Sequence, residues 1–377
     1  MSGEISYPRN PAERGPIKAP TYGLKPPLPA EMKRLALGCM VTAVNRHFGL
    51  GSAVRLGDGV VVMAVDVIPT GSLAIDRALG AGGFPRGRIS EIYGTDSCGK
   101  TTLALHVIAE AQRQGGHAVF VDAEHALDLN YARRIGVNID NLVLSKPRSA
   151  EQTIDVIIAL INSHAVDVVV VDSVAALVPQ AELQASVIEN TGGELARVMS
   201  NGLRKLAGIV ARTNTCLLFL NQLRDKYFPT AGNSELTAGG RSLRFYASVR
   251  MELSPGAAIP HGNQTIGRRA RAYVLKNRCA PPHRAAEFEI LHGQGISFEG
   301  ELLDLGIEAD LVRHSGAGFV CGAHLLGSGR EEARGWLRRH PETARVLTEE
   351  LRERLGFDTL DEAMRTRGEE CKAVCGF

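Results

Sequence analysis

The chain has no C-x-x-C pair, no run of roughly 18 unbroken apolar residues such as a membrane helix needs, and almost no net charge. Each absence removes a class of protein. Its seven cysteines, Cys39, Cys98, Cys216, Cys279, Cys321, Cys371 and Cys375, are odd in number and widely spread, which argues for reduced thiols against a zinc ribbon or a disulfide framework. The polar, proline-rich first thirty residues lack the apolar centre of a secretory signal, so the sequence predicts a cytoplasmic location and no membrane partner. A formal charge of +2 neither demands nor excludes a polyanionic partner, because phosphates respond to a local basic surface and not to the sum over a chain. What remains is 377 residues, 44% hydrophobic and 22% charged, enough for one large buried core with smaller attachments.

Residues 1–30 are rich in Pro, Gly, Arg, Lys and Glu and poor in apolar side chains, so burial there cannot offset the entropy of ordering and a disordered extension is predicted. From Glu31 to Phe48, Met32, Leu35, Ala36, Met40, Val41 and Val44 recur at three- and four-residue intervals, the pattern of a helix with one apolar face that needs a partner. Between about Met63 and Phe298, short β-branched runs (AVFVDAE, VDVVVVDSV, TCLLFLNQ) alternate with helical patterns such as Thr101 to Gln114. Continuous apolar strands alternating with helices predict a mainly parallel sheet covered on both faces. After Gly300 the pattern changes to a compact helical segment with Glu and Arg on its wet faces, read as a small second domain. The last twenty residues, from Asp358, read as a tail.

The strongest motif is GTDSCGKTT: Gly94, Thr95, Asp96, Ser97, Cys98, Gly99, Lys100, Thr101 and Thr102. It matches G-x-x-x-x-G-K-[ST], follows an apolar strand (ISEIY) and opens an amphipathic helix, the context in which such a loop cradles a polyphosphate. The glycines let backbone N–H groups turn inward, Lys100 neutralises the terminal phosphates, Thr101 offers its hydroxyl to Mg²⁺, and the helix N-terminus adds its dipole. VDVVVVDSV delivers Asp172 to the carboxyl end of a strand, where it is placed to hold Mg²⁺ with Thr101. Glu124, just past the strand from Ala118 to Asp122, is the candidate to orient and deprotonate an attacking water, although a surface acid satisfies the sequence equally well. Gln222 ends a third strand, where its amide is placed to sense a terminal phosphate.

Together these strings resemble the RecA recombinases. The resemblance runs from about Arg46 (RHFGLGSAVRLGDG) through TGSLAIDRALGAGGFPRGRISEIYG, DAEHALDLNYARRIGVNIDNL, VDVVVVDSVAALVPQAEL, RKLAG, LNQLR, TAGGRSLRFYASVR, LKNR and HGQGI to GELLDLGI and WLRRHPETA, about three hundred residues in the family's order. DAEHALD and FYASVR are far more specific than a phosphate loop, which many unrelated NTPases share.

The resemblance implies an α/β fold: a RecA-like P-loop NTPase core with a mainly parallel sheet flanked by helices, an N-terminal helix and a small C-terminal α/β domain. The corresponding boundaries are 31–61 for a polymerisation helix and strand, 62–297 for the core, 298–357 for the C-terminal domain and 358–377 for the tail. It further implies ATP and Mg²⁺ bound by Lys100, Thr101 and Asp172, hydrolysis assisted by Glu124, adenine held by Asp128 and Tyr131, and Gln222 coupling the γ-phosphate to a DNA loop. Lys276 and Arg278 of LKNR match cations that reach into a neighbouring subunit's nucleotide. Arg197, Ser200 and Arg204, with Gly239, Gly240 and Arg241, match DNA-backbone contacts beside two loops at about 183–193 and 224–241. The implied partners are single-stranded DNA, double-stranded DNA as a second substrate, further copies of the chain in a helical filament, and a LexA-like repressor.

The sequence also departs from the family. Ala185, Ser186 and Gly192 alter the first loop, and Tyr227, Phe228 and Pro229 the second. Cys98 replaces a serine, Arg278 a lysine, and His292 a tyrosine near the adenine. Ser254, Pro255 and Tyr273 remove positive charge where members bind an incoming duplex, leaving Arg268, Arg269 and Arg271 to compensate. The expected activity is a DNA-dependent ATPase that pairs and exchanges strands in recombinational repair and signals DNA damage. The alternative is a paralogue that binds DNA or mediates another recombinase without efficient exchange. A ring helicase on the same core is disfavoured by the missing helicase domain and by LKNR and FYASVR.

Overall fold

The structure, a computed structural model, describes residues 29–49, 52–55, 65–185, 193–224, 236–316 and 318–354. The predicted short strand after Gly51, most of both DNA loops and the tail lie outside these residues. The chain divides into two compact units, Met1–Ala64 and Val65–Phe377. In the first, helix α1 (Ala30–Phe48) forms as its periodicity predicts and buries none of its residues within that unit. Met32 and Leu35 on its apolar stripe are exposed. Asn45 closes the following turn, donating from Nδ2 to Ala53 O at 2.7 Å and accepting from Ala53 N at 2.9 Å.

The second unit runs β1 (Val67–Ile68), α2 (Leu73–Leu79), β2 (Phe84–Pro85), β3 (Ile89–Gly94), α3 (Lys100–Arg113), β4 (Ala118–Asp122), α4 (Leu129–Ile135), β5 (Leu142–Ser145), α5 (Ala150–Ile161) and β6 (Val168–Asp172). It continues with α6 (Gln180–Gln184), α7 (Glu194–Thr213), β7 (Cys216–Arg224), β8 (Leu236–Thr237), α8 (Ser242–Tyr246), β9 (Val249–His261), β10 (Gln264–Asn277), β11 (Arg284–Leu291) and β12 (Gly295–Ile296). Last come α9 (Phe298–Glu308), β13 (Val312–Ser315), β14 (Gly318–Cys321), β15 (His324–Gly327), α10 (Arg330–Arg339) and α11 (Pro341–Arg354).

The main sheet has the order β12-β11-β10-β9-β3-β7-β6-β4-β5, with β8 pairing β7. From β5 to β9 all neighbours are parallel. Strand β6 shows why. Val168 and Val170 enter a core beneath α3, while Val169 and Val171 enter a second core beneath α5 and α7. Successive side chains point to opposite faces, both faces are covered, and the strand is therefore apolar without interruption. Each fully buried valine contributes about 1.5–3 kcal/mol.

The parallel pattern stops at β9. Strands β9, β10, β11 and β12 pair antiparallel, turning between β9 and β10 through Gly262 and Asn263. Two residues suffice for such a hairpin, whereas a parallel return needs a dozen or more. Gly262 adopts φ +60°, as the turn demands.

Helices α9, α10 and α11 pack on the three-stranded sheet β13-β14-β15 around Leu302, Leu303, Phe319, Leu337, Leu347 and Leu351. Leu73 of α2 inserts into this C-terminal core. A polar contact fixes the same junction: Ser72, the N-cap of α2, donates to buried Glu301 Oε1 at 2.6 Å. Beside it, buried Asp76 accepts from Thr70 N at 2.9 Å and Thr70 Oγ1 at 2.8 Å. Burial pushes the Glu301 carboxyl up from 4.5 to about 8, against the pull of its hydrogen bond from Ser72, and burial pushes Asp76 up to about 7. The folded state holds the Glu301 proton more tightly than the unfolded chain, so this contribution is complete below about 4.5 and is lost as pH rises toward about 8. Glu301→Gln keeps the acceptor and removes the titration. Its melting temperature relative to the parent is expected to rise between pH 5 and pH 8, and a pH-independent difference would overturn this assignment.

Candidate active site

The loop between β3 and α3 is built from constraints that only glycine meets at its two ends. A Cβ at Gly94 would stand 2.1 Å from Leu253 O, and one at Gly99, which has φ +100°, would stand 2.3 Å from Ile290 Cδ1. The loop delivers its chain into the first turn of α3, whose N–H groups have no intrahelical acceptors. Lys100 Nζ is held over the loop, donating to Thr95 O at 2.7 Å and Gly94 O at 3.2 Å. Cys98 is buried beneath it, and burial raises its thiol above the usual range, which keeps the sulfur protonated.

The carboxyl ends of β4, β6 and β7 face this loop. Thr101 Oγ1 donates to Asp172 Oδ2 at 2.7 Å, joining the two oxygens that the sequence assigned to a cation. Burial lifts Asp172 to about 6, reinforced by the charges of Glu124 and Asp122 and opposed by the Thr101 hydrogen bond and Lys100. Glu124 is fixed from two sides: Ser173 Oγ and Gln222 Nε2, the latter at 3.2 Å, donate to the same Glu124 Oε1. A cleft of about 580 Å³ runs along Asp96–Thr102, Glu124, Asp172 and Gln222, and is closed on its other flank by Arg268, Ile290 and His292. Ser173 and Arg268 were not foreseen as site residues. Ser173 follows Asp172 directly, but its reach to Glu124 depends on β4 lying beside β6.

The adenine-site candidates lie along the flank of α3. Tyr131 OH and Thr102 Oγ1 share a hydrogen bond at 2.9 Å. Asp128 is the N-cap of α4, accepting from Asn130 N at 2.8 Å and Tyr131 N at 3.1 Å, so its carboxylate orients the turn that carries Tyr131.

Lys276 and Arg278 do not line their own chain's cleft. They lie at the far end of β10, where Lys276 Nζ donates to Arg244 O at 2.8 Å and Phe245 O at 3.1 Å, and Arg278 Nη2 donates to Phe245 O at 3.3 Å. Burial, with the charges of Arg278 and Arg250, lowers the Lys276 ammonium to about 8.

The DNA-contact candidates converge. Arg197, Ser200 and Arg204 recur along one side of α7, and a Cβ at Gly240 would stand 2.8 Å from Ala196 Cβ, which places the Gly239–Gly240 turn against the first turns of that helix. Both glycines have positive φ, +79° and +77°. Arg197, Arg204 and Arg241 are all exposed, and Arg197 also pairs with Glu194 at 2.7 Å. A buried residue ties this surface to the cleft: Asn221, adjacent to Gln222, donates from Nδ2 to Ala238 O at 3.1 Å and to Glu91 Oε1 at 3.0 Å, and its Oδ1 accepts from Gln222 N at 2.9 Å. Asn221 was not foreseen either, because its partners come from strand order.

A phosphate loop after a central strand, with Thr101 against Asp172 and a carboxylate oriented beside them, defines a P-loop ATPase on an open α/β sheet. The RecA N-terminal domain model matches residues 35–297 and the RecA C-terminal domain model residues 300–356. Protein RecA of Methylococcus capsulatus is 50% identical over 342 residues, 90% of this chain and 99% of that relative. Protein RecA of Symbiobacterium thermophilum is 49% identical over 330 residues (87% and 94%), and that of Rubrobacter xylanophilus 51% over 325 (86% and 94%). The chain belongs to the RecA family of recombinases, ATP-binding proteins that hydrolyse ATP in a DNA-dependent reaction, bind DNA and form filaments of identical subunits. No helix among the described residues is long and apolar enough to cross a membrane.

Proposed function

We propose that this chain assembles as a helical filament on single-stranded DNA in the cytoplasm, hydrolyses ATP with Mg²⁺, and pairs and exchanges the bound strand with a homologous duplex in recombinational repair. Signalling to a LexA-like repressor belongs to the same reading, with residues 62–297 as the ATPase core, 298–357 as the C-terminal domain and the α1 segment as the polymerisation element. The observation that carries the proposal is the paired reach of neighbouring residues: Gln222 to Glu124 in the cleft, and Asn221 to Ala238 at the root of the Gly239–Gly240 turn. A change at the terminal phosphate is thereby linked to the DNA-facing turn.

In this mechanism Glu124 accepts the proton of the attacking water, held in place by Ser173 and Gln222. Lys100 turns from the loop carbonyls to the β- and γ-phosphates. Thr101 and Asp172 present the hard oxygens that suit Mg²⁺, a cation that keeps few protein ligands and, when bound, neutralises charge developing on the phosphates. Lys276 and Arg278 complete the site of an adjacent subunit, so full turnover needs the filament. Arg197, Ser200, Arg204, Gly239, Gly240 and Arg241 grip phosphates and sugars without reading bases.

Single-strand affinity is expected to fall with salt, by about 0.7 log unit per log unit of salt for each phosphate neutralised, and to vary little with sequence. Arg204→Ala should reduce that slope by about one such increment on every sequence tested. A strong preference for one short sequence would count against the reading. ATP turnover should require single-stranded DNA and should be more robust than duplex capture, since Ser254, Pro255 and Tyr273 carry no charge. Arg at positions 254 and 255 should then raise strand exchange while leaving DNA-stimulated ATPase unchanged. Equal exchange by both proteins, at the level of a typical family member, would overturn the prediction of weak duplex capture. No exchange by either protein, with ATPase intact, would favour the mediator.

A further inference from the structure

Arg268, Arg269 and Arg271 lie within four residues of β10, but the strand separates them. Across the continuous β10–β11 register, Arg268 stands opposite Ile290, Arg269 opposite Glu289 and Arg271 opposite Glu287. Residues directly opposite in an antiparallel pair share a face, and successive residues alternate. Ile290 is the residue that abuts Gly99 of the phosphate loop, so Arg268 occupies the loop's side of the sheet, while Arg269 and Arg271 face the other side. Arg269 approaches Glu289 at 3.8 Å. Arg268 instead reaches the loop, where Nη1 donates to Ser97 O at 3.4 Å, and it has no ion pair among the described residues.

The strand order also tells which end of a nucleotide it meets. Glu124, Asp172 and Gln222 come from β4, β6 and β7, on one side of β3. Arg268 and His292 come from β10 and the end of β11, on the other. A nucleotide whose terminal phosphate faces Glu124 and Gln222 therefore turns its nucleoside end toward β10 and β11, the side to which α4 brings Tyr131, since a Cβ at Gly295 would stand 3.1 Å from Ile135 Cγ1 of that helix. Resting on the reading of this cleft as an ATP site, we infer that Arg268 is a nucleotide-binding residue that contacts the α-phosphate and ribose end of the bound adenine nucleotide within its own subunit, and does not belong to the duplex-capture surface. A guanidinium at this end touches groups common to ATP and ADP. It stabilises substrate and transition state alike and so acts on KM without acting on kcat.

The test is calorimetric titration of ADP and of adenosine into the full chain without DNA, for the parent, Arg268→Gln and Arg268→Lys, with steady-state ATPase on single-stranded DNA alongside. Arg268→Gln should weaken ADP binding about 10-fold or more, as loss of a charge-assisted hydrogen bond does. It should raise KM for ATP by a similar factor, leave kcat unchanged, and leave the weak adenosine affinity nearly unchanged. Arg268→Lys should recover most of the loss, and the gap should narrow as salt rises. Because no ion partner is stranded, both variants should melt with the parent. ADP affinity of Arg268→Gln within about twofold of the parent overturns the inference, as does a fall in kcat at constant KM. Loss of strand exchange alone, with ADP affinity intact, returns Arg268 to duplex capture and also overturns it. If the parent itself binds no ADP, the reading of the cleft fails first, and that result is distinct from the others.

Discussion

Glu124→Gln is expected to lower kcat for DNA-stimulated ATP hydrolysis by about 10²–10⁴-fold, the usual contribution of a positioned general base, while ATP affinity stays near that of the parent. The amide retains size and can still accept from Ser173 and Gln222 through its oxygen, so the geometry around Oε1 survives and only the capacity to take a proton is lost. Lys100→Ala should behave differently. It removes the ammonium that the loop holds beside Thr95 and Gly94, and both nucleotide affinity and hydrolysis should collapse. Single-turnover hydrolysis and nucleotide titration on the same preparations separate the two outcomes. Normal hydrolysis by Glu124→Gln would move the base elsewhere, and a shared loss of affinity would make Glu124 a binding group.

The parts of this site that were legible in the sequence are those whose geometry is local. GTDSCGKTT carries its own backbone requirements in Gly94 and Gly99, and the run of valines before Asp172 announces a strand buried on both faces. The Thr101–Asp172 contact spans 71 residues, yet it was foreseeable because each residue ends or begins an element whose position in an open sheet is set by that motif. The antiparallel extension β9 to β12 was not anticipated, although the Gly262–Asn263 turn between two β-rich runs signals a hairpin. Reading that stretch as strands would also have divided the arginines, since parity alone puts Arg268 on one face and Arg269 and Arg271 on the other. Ser173 and Asn221 were out of reach for a different reason. Their partners, Glu124 and Ala238, are chosen by which strands become neighbours, and nothing within several residues of either encodes it.

The same strand order creates a buried ion pair beneath the site, and Arg250→Met is expected to cost about 3–5 kcal/mol of stability, because it leaves a carboxylate without its counter-charge. Glu91 and Arg250 sit side by side on β3 and β9, 0% and 5% exposed, with Arg250 Nε donating to Glu91 Oε2 at 2.5 Å and the guanidinium 4.6 Å from the Tyr93 ring centroid. The other Glu91 oxygen accepts from Asn221. In the single variant the Asn221 amide is the hydrogen-bond donor left to the carboxylate among the described residues, with the Lys276 charge acting on it from further away, and the melting temperature should drop on the order of 10 °C. The double variant Glu91→Leu with Arg250→Met removes both charges at similar volume and should recover most of the loss, since well-packed apolar side chains replace buried ion pairs at little cost. Function should not recover with it. Asn221 would keep Ala238 but lose its anchor on β3, so the stimulation of ATPase by single-stranded DNA should remain below that of the parent even where the fold is restored. Equal destabilisation in the single and double variants would show that packing around Tyr93, and not the uncompensated charge, sets the penalty; full DNA stimulation in the double variant would release Asn221 from the coupling route.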